Sequence, residues 1–336
     1  MTEDFVISTI ERSDNDAGPK AQHDIIKFLS LNGYKIVKTR IPRKRIRKMY
    51  YALKTLPKLF KGRAMNVVIF QYPIYSLFLT KKIIKTIKKY TSARIILVIH
   101  DVESLRLFQD DKSFVKKELS IFNMDEVDGL IAHNKSMKNW LREKGITKKI
   151  AELEIFDYDN PQPFRVQKSY NRSVCFAGNL AKANFLEKLD VKNGLFVFGP
   201  NNNLKMHECI KYGGQYTPDE LPKYLQQNYG LVWDGSSLDK CDGRFGEYLK
   251  YNAPHKTSLY LSSGIPVIVW KEAAIADFVL ENNVGIVVDD LNHLDELLKN
   301  ISESDFNVMK TNAVKVGKKM RSGYYIRRAI EELMEN

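Results

Sequence analysis

Apolar residues in the first half of the chain form short runs separated by longer stretches of helical periodicity. The runs are strand-sized and lie at Phe5–Ile10, Lys35–Ile41, Val67–Gln71, Arg94–His100, Gly129–Ala132 and Ile150–Ile155. Helices are predicted from residue 17 to 31, where Asn32–Gly33 ends the first one, and near 76–90, 112–124 and 135–145. Continuous apolar strands between helices are typical of a parallel sheet covered on both faces. Residues 1–156 are therefore expected to form a Rossmann-like α/β domain.

The same alternation starts again after a polar segment. Residues 157–172 contain two prolines and no periodicity, which predicts a linker. Further strands are predicted at Ser173–Ala177, Leu195–Phe198, Gly230–Trp233, Ile265–Trp270 and Gly285–Val288, with helices near 218–227, 254–263, 273–282, 291–300 and 303–320. A second Rossmann-like domain over 173–320, a cleft between the two domains and a last helix within 321–336 complete the expected α/β architecture.

Composition excludes several classes of protein. None of the apolar runs approaches the roughly 20 residues that cross a bilayer, and the N-terminal MTEDFVIST has acids where a signal peptide has bases. The three cysteines, Cys175, Cys209 and Cys241, lie far apart and predict reduced thiols without a zinc site or disulfide framework. The expected location is the cytoplasm.

Charge is concentrated in the first half of the chain. Residues 1–150 have 31 Lys and Arg against 15 Asp and Glu, whereas the remainder has 22 against 25. Arg40–Arg63 alone has ten Lys and Arg and no acid. Its apolar residues recur at helical spacing, at Ile46, Met49, Tyr50, Leu53, Leu56 and Phe60. This pattern predicts a basic amphipathic helix on an anionic membrane surface, kinked or ended by Pro57; the alternative is a core-facing helix with solvated charges.

Two features of the first half point to chemistry at the carboxyl edge of its sheet. The loop Glu11–Lys20 would place Asp14, Asp16 and Lys20 at this edge to bind an acceptor, or it is an ordinary capping loop with Asp16 as N-cap. His100 and Asp101 follow an apolar strand, where a carboxylate can take a proton from an attacking hydroxyl; the alternative is a pair that caps the next helix. A dinucleotide enzyme is disfavoured because no GxGxxG follows the first strand, and a nucleic-acid-binding module is disfavoured because no RNA-binding motif accompanies the bases.

Polar clusters follow strand after strand in the second half. They include Asn179, Lys182, a predicted turn Gly213–Tyr216 in which Gly214 and Tyr216 meet a flat ring, and Asp234. The segment Tyr248–Trp270 then brings Asn252, His255, Lys256, Thr257 and Ser258 to the first turn of a short helix. A helix N-terminus with such side chains is suited to an anion, and a diphosphate is the expected guest. These residues, with Tyr248, are the predicted nucleotide-sugar site.

Characteristic stretches run in order along nearly the whole chain: DAGPKA at Asp16, VIHDVESLR at Val98, VDGLIAHNKSM at Val127, FAGNL at Phe176, GLVWDGSS at Gly230, FGEYLKYNAPHKTSLYLSSGIPVIVW at Phe245, AAIADFV at Ala273 and RSGYYIRRAIEEL at Arg321. In these stretches the sequence resembles the bacterial glucosyltransferase-3-like sugar transferases, which include β-1,6-galactofuranosyltransferases and glucosyltransferases of serine-rich adhesins.

The resemblance implies a GT-B fold whose last helix packs back on the N-terminal domain. It implies that the N-terminal domain binds the acceptor, with Asp14, Ala17, Gly18, Lys20 and Tyr72 as expected contacts, and that the C-terminal domain binds a UDP-sugar. The stretch CDGRFGEYLKYNAPHKTSLYL is most similar to the galactofuranosyl members of the family, which favours UDP-galactofuranose as the donor. The alternative is transfer of glucose from UDP-glucose to a GlcNAc-modified adhesin. Tyr251 and Leu259 stand where many retaining GT-B enzymes have two glutamates, which agrees with the inverting chemistry that the resemblance implies.

The expected mechanism therefore uses Asp101 as the base, with His100 in support and Asp16 as the second candidate. No metal or other cofactor is expected, since Asp157–Tyr158–Asp159 fits the letters of a DxD motif only within the predicted linker. The expected partners are a UDP-sugar, a glycan acceptor carried on a lipid, and the inner face of an anionic membrane, on which the protein would be peripheral. No nucleic acid is expected as a partner. The sequence is compatible with a homo-oligomer.

Overall fold

The computed structural model of the chain describes residues 2–9, 17–164 and 169–335, with only the backbone of Ala17 and Gly18. The chain divides into two compact units. The first unit comprises Met1–Leu153 together with Ile326–Asn336, and the second comprises Glu154–Tyr325. Each unit is a parallel six-stranded sheet with helices, so the prediction of two α/β sheets is confirmed.

The first sheet is built from the apolar runs of the first half of the chain. Its strands are β1 (Glu3–Thr9), β2 (Lys35–Thr39), β3 (Met65–Tyr72), β4 (Arg94–Ile99), β5 (Gly129–Ala132) and β6 (Lys149–Glu152), in the spatial order β2-β1-β3-β4-β5-β6. The central strand β4 is almost entirely buried, as expected of a strand covered by helices on both faces. Because every pairing is parallel, the carboxyl ends of the strands lie at one edge.

The helices of this part of the chain are α1 (Ala17–Leu31), α2 (Arg45–Tyr50), α3 (Leu56–Phe60), α4 (Leu77–Tyr90), α5 (Glu103–Arg106), α6 (Lys112–Phe122) and α7 (Lys135–Glu143). Local sequence explains several of their ends. The side chains of Asp111 and Asn134 cap α6 and α7 by accepting the amides of Phe114 and Met137. Gly33 follows α1 with φ of 89°, the left-handed conformation that glycine tolerates.

The second sheet consists of β7 (Val174–Ala177), β8 (Leu195–Phe198), β9 (Ile210–Gly214), β10 (Tyr229–Val232), β11 (Val267–Trp270) and β12 (Gly285–Val288), in the order β12-β11-β10-β7-β8-β9. Its helices are α8 (Gly243–Tyr248), α9 (His255–Ser262), α10 (Ala276–Glu281), α11 (Leu294–Asn300) and α12 (Glu303–Arg321). Short 3₁₀ turns occur at Leu180–Lys182, Asn184–Glu187 and Leu221–Lys223. All pairings are again parallel.

The last helix, α13 (Tyr324–Met334), packs on the first unit. Arg328 donates from Nη2 to the carbonyl oxygen of Glu152 at 2.8 Å. Leu333 lies so close to Gly129 that a Cβ there would stand 3.1 Å from its Cδ1. The chain therefore returns to β5 and β6 at its carboxyl end.

The predicted turn at Gly213–Tyr216 is wrong, because Gly213 and Gly214 end the edge strand β9. Pairing with β8 and the ring of Phe198 hold the glycines in the sheet: a Cβ on Gly213 would lie 2.3 Å from Phe198 Cε1. The helix predicted near 218–227 is reduced to the 3₁₀ turn Leu221–Lys223, which contains Pro222.

The basic segment forms one helical run rather than a helix broken at Pro57. A π turn, Tyr51–Thr55, connects α2 to α3, and Pro57 sits in the first turn of α3, where its missing N–H costs little. The π turn rotates the residues that follow it relative to those before it. As a result Leu56 and Phe60 are buried, whereas Ile46 and Leu53, predicted on the same face, are exposed.

Candidate functional site

The candidate site of the second unit lies where β7, β8 and β10 end and α9 begins. Backbones meet closely here, since Gly178 N–H donates to the carbonyl of Phe198 at 3.0 Å. Gly199 has φ of 139°, and a Cβ on it would lie 1.8 Å from the carbonyl oxygen of Gly178. Only glycine fits at this position. The glycines therefore let the backbones after β7 and β8 pack directly on each other at the strand ends, where Gly199 N–H also donates to the carbonyl of Gly214 at 3.0 Å.

Lys256 places its ammonium group at the same strand ends. Its Nζ lies 2.7 Å from Asp234 Oδ1 and 3.0 Å from the carbonyl oxygen of Trp233. It also lies 4.6 Å from the ring centroid of Phe176. The Lys256 and Asp234 side chains are each 16% exposed, so little water competes for the charge. Pro254 is the N-cap of α9 and gives no side-chain cap, which suits an anion at this turn.

The loop after β10 brings Asp234 next to the segment after β7. Gly235 donates to the carbonyl of Lys182 at 3.0 Å and accepts from the amide of Phe185 at 3.1 Å. The Lys182 ammonium lies 3.8 Å from the ring centroid of Phe245. Asn179 accepts from Asn201 Nδ2 at 2.9 Å. The predicted residues Asn179, Lys182, Asp234 and Lys256 are thus gathered at one edge of the sheet.

The other residues predicted to bind the phosphate, Asn252, His255, Thr257 and Ser258, point partly into the protein interior. Thr257 and Ser258 are both fully buried, and Ser258 Oγ donates to the carbonyl of Phe156 at 2.9 Å. Within the described part of the chain, Thr257 Oγ1 and Asn252 Oδ1 are buried without a hydrogen-bond partner. The His255 ring lies tilted against Tyr158, with centroids 5.0 Å apart. A direct contact of the Thr257 or Ser258 hydroxyl with a diphosphate would require these side chains to move.

Tyr248 and Tyr216 have partners within the protein. Tyr248 is only 3% exposed. Tyr216 stacks on Tyr224, with ring centroids 3.7 Å apart and planes at 15°. The predicted stacking of Tyr216 on a nucleotide base would therefore use its other face or replace Tyr224. Both residues stay predictions as donor contacts.

In the first unit, His100 and Asp101 follow β4 at the carboxyl edge of the sheet. Asp101 Oδ2 pairs with Arg106 Nη1 at 2.9 Å, and Arg106 also binds Glu103. His100 Nε2 lies 2.8 Å from Gln71 Oε1. Arg106 is partly buried; burial alone would lower the pKa of its guanidinium, but Asp101 and Glu103 outweigh that effect and raise it. Arg106 therefore stays charged and holds one oxygen of the candidate base.

The network behind this pair was not anticipated from the sequence. Glu118 is fully buried and accepts from the Tyr72 hydroxyl at 2.7 Å and from the amides of Glu103 and Ser104 at 3.0 and 2.7 Å. Burial raises the pKa of Glu118. The signal for Arg106 was present, because it ends the stretch VIHDVESLR, but its pairing with Asp101 depends on the turn at α5.

The predicted acceptor contacts are scattered in what the structure describes. Tyr72 is 1% exposed and its hydroxyl is engaged by Glu118, so it supports the core and reaches an acceptor only if it moves. Lys20 is 9% exposed and pairs with Asp24 at 2.6 Å. Asp14 and Asp16 lie outside the described residues, and for Ala17 and Gly18 only the backbone, at the start of α1, is described.

His133, which directly follows β5, is expected to make the stability of the fold depend on pH. It is 2% exposed and its Nε2 donates to the carbonyl of Ile99 at 3.0 Å, and burial lowers its pKa from about 6.5 to about 4. As pH falls below 6.5 the unfolded chain binds a proton that the folded chain refuses until about pH 4. The unfolding free energy should therefore fall by about 2–3 kcal/mol between pH 7.5 and 4.5 from this group alone.

The variant His133→Gln, which keeps an amide donor, should lose that part of the acid sensitivity. Urea unfolding of both proteins at the two pH values measures it. An equal loss of stability in the variant and the original protein would contradict the assignment.

Comparison with known sequences covers nearly the whole chain. The sequence model described as "Glucosyltransferase 3-like, N-terminal domain" matches residues 4–155, and its C-terminal counterpart matches residues 174–333. The chain is 29% identical to the β-1,6-galactofuranosyltransferase WbbI of Escherichia coli (strain K12), over 99% of this chain and 98% of the relative. It is 26% identical to glucosyltransferase 3 of Streptococcus gordonii, over 80% of each.

Solved structures agree on the fold. A sucrose-phosphate synthase of Thermosynechococcus elongatus superposes with a TM-score of 0.63 at 11% identity, covering 98% of this chain and 97% of that one. An α-glucosyltransferase solved with UDP-glucose and DNA gives 0.63 at 13% identity over the full length of both. The predicted GT-B fold, with two Rossmann-like units, is confirmed.

Proposed function

Because the chain belongs to the glucosyltransferase 3-like family, we propose that it is an inverting galactofuranosyltransferase that transfers a galactofuranosyl group from UDP-galactofuranose to a sugar acceptor and forms a β-1,6 linkage. The chain is a UDP-sugar-dependent glycosyltransferase. The likeness to WbbI over 99% of the chain supports the galactofuranosyl donor. The proposed setting is assembly of a surface polysaccharide of the O-antigen type, on an acceptor carried by a lipid.

The observation that carries the proposal is the Lys256 side chain at these strand ends, where its Cδ would lie 3.4 Å from a Cβ on Gly178. Its ammonium group is held 2.7 Å from Asp234 at the first turn of α9, where no side-chain cap is present. A diphosphate bound there would bring two negative charges to a cation and a helix N-terminus. His255 opens the same turn and lies beside the site.

The reaction follows from these groups. A hydroxyl oxygen of the acceptor forms a bond to the anomeric carbon of the donor while the bond from that carbon to the diphosphate oxygen breaks on the opposite face. The hydroxyl proton passes to the Asp101 carboxylate, which its ion pair with Arg106 holds in place. Asp16 is the second candidate for this role. Lys256, His255 and the helix N-terminus stabilise the departing UDP.

The choice of donor is tested by thermal unfolding in the presence of UDP, UDP-galactofuranose, UDP-galactopyranose and UDP-glucose. The proposal expects stabilisation by UDP and a larger one by UDP-galactofuranose. A larger shift with UDP-glucose would instead favour the second candidate, β-glucosyl transfer to a GlcNAc-modified serine-rich adhesin, which the 26% identity to glucosyltransferase 3 of Streptococcus gordonii supports. No shift with any UDP compound would contradict both.

Departure of UDP is proposed to proceed without a metal ion, since Lys256 and α9 supply the positive charge. Transfer activity should therefore persist in millimolar EDTA at more than about half its rate, because the electrostatic stabilisation comes from the protein. The rate with and without chelator measures it, and recovery on adding Mg²⁺ or Mn²⁺ after complete loss would overturn this proposal.

A further inference from the structure

The helical run from α2 to α3 presents an apolar face that nothing in the first unit covers. Ile46 is 81% exposed, Met49 51%, Tyr50 66% and Leu53 64%. Their spacing of three and four residues places them on one face of the helix. A different face, with Leu56 and Phe60, is buried in the unit. The run is therefore anchored by one apolar face and displays another, which is more than a surface helix needs for folding.

The exposed apolar face is surrounded by positive charge. Arg43, Lys44, Arg45 and Arg47 are exposed. Between Asp24 and Asp101 the sequence has 19 Lys and Arg and no Asp or Glu.

The apolar character continues onto the start of α4. Tyr75 is 61% exposed and Phe78 45%, and the Lys82 ammonium lies 5.9 Å from the Phe78 ring centroid. Lys48 Nζ lies 3.4 Å from Ser76 Oγ and so joins the two helices. Together the exposed side chains of residues 43–54 and 75–82 form one surface, called here the docking surface.

We propose that the docking surface binds an anionic lipid bilayer. The side chains of Ile46, Met49, Tyr50 and Leu53 would insert at the boundary between the headgroups and the acyl chains. An apolar strip rimmed by cations matches both parts of such a membrane, since the cations attract lipid phosphates and the strip leaves water. A second copy of the chain would bring the same positive charge against itself. The phosphates of a nucleic acid would bind the cations but would not bury the exposed Ile, Met and Leu side chains.

The docking surface adjoins the candidate base. The Tyr75 hydroxyl lies near the Arg106 guanidinium, and Arg106 pairs with Asp101 at 2.9 Å. A bilayer against this surface would lie beside the groups that receive the acceptor hydroxyl. This step rests on the proposed function, and it explains how an acceptor tethered to a lipid would reach Asp101 without leaving the membrane.

Flotation of the full chain with lipid vesicles tests the proposal. Vesicles of phosphatidylcholine with about one third phosphatidylglycerol should carry the protein at low salt, pure phosphatidylcholine should not, and rising salt should release it. The variant Ile46→Ser/Met49→Ser/Tyr50→Ser/Leu53→Ser should lower the partition coefficient at least roughly tenfold. Lys44→Gln/Arg45→Gln/Arg47→Gln should lower it by about fivefold for each charge removed.

A matched control changes exposed apolar residues of the second unit. Leu280→Ser/Val308→Ser, at positions 56% and 48% exposed, should float like the original protein. Full binding by the quadruple serine variant would overturn insertion of the strip. Dimerisation of the original protein that the same variant abolishes, or salt-dependent nucleic-acid binding without vesicle binding, would overturn the choice of a bilayer.

Vesicle binding and UDP binding are separate readouts. The quadruple serine variant should keep the thermal shift with UDP, because its changes lie in the first unit and its side chains are exposed. Vesicle binding without any UDP shift would leave the docking surface intact while removing the proposed function. A thermal shift with UDP but no vesicle binding would support the proposed function and overturn the docking surface.

Discussion

Replacing Lys256 by Ala is expected to raise the dissociation constant for UDP by about 10- to 100-fold, the range expected for a hydrogen bond to a charged group. The loss has two parts. The variant removes the only cation that touches Asp234 among the ion pairs of the described residues, and it leaves the Asp234 carboxylate facing the diphosphate. Titration calorimetry of both proteins with UDP measures the change.

Two further variants separate binding from folding. Lys256→Ala/Asp234→Asn removes the stranded carboxylate, so it should recover folding stability while UDP binding stays weak. Lys250→Ala is the matched control, because Lys250 lies close to Lys256 in the sequence, pairs with Glu247 and Glu272, and has no proposed ligand. UDP affinity in Lys256→Ala equal to that of Lys250→Ala would remove Lys256 from the phosphate site.

Asp101→Asn is expected to lower the turnover number by about 10²- to 10⁴-fold, which is the usual contribution of a general base. The amide fills the same space and can keep one contact to Arg106, but it cannot take up the hydroxyl proton. UDP affinity should stay unchanged, because Asp101 lies in the first unit and the predicted phosphate site in the second. Initial rates at saturating donor, together with UDP titration, measure both quantities.

Asp110→Asn serves as the control, since Asp110 is an exposed acid nearby in sequence. The parallel variant Asp16→Asn tests the second candidate base. Full activity in Asp101→Asn together with a 10²-fold loss in Asp16→Asn would transfer the role to Asp16.

Sequence periodicity was sufficient for most of the sheet architecture. Strands such as β4 and β8 were predicted within a residue because buried parallel strands read as uninterrupted apolar runs between helices. The edge strand β9 was missed, since Gly213 and Gly214 look like a turn in isolation. What keeps them in the sheet is the Phe198 ring over Gly213, a tertiary contact that local pattern does not contain.

The candidate site was predictable in its positions but not in its connections. Polar residues after apolar strands indicated Asp101, Asp234 and Lys256, because parallel strands end at one edge. The Lys256–Asp234 pair spans 22 residues, and its formation depends on the loop after β10. Likewise the burial of Thr257 followed from how α9 packs, which its own sequence does not specify.

The face of the basic helix was also beyond local reasoning. Six apolar residues at helical spacing predicted one face, and the π turn at Tyr51–Thr55 split them into a buried set and an exposed set. The wider π turn shifts the helical position of every residue after it, and this shift decides which side chains contact water. The pattern nevertheless indicated correctly that the segment is helical.

Hydrogen exchange with and without UDP tests the central claim most directly, because it locates the ligand on the chain. Saturating UDP should slow exchange in peptides that cover the first turn of α9, residues 254–258, and the strand ends around residues 178 and 199, because the bound diphosphate would cover both. Peptides of the first unit that cover α6 should be unaffected. Binding of UDP with protection confined to other segments, and none at the start of α9, would contradict the phosphate site and the transferase mechanism built on it.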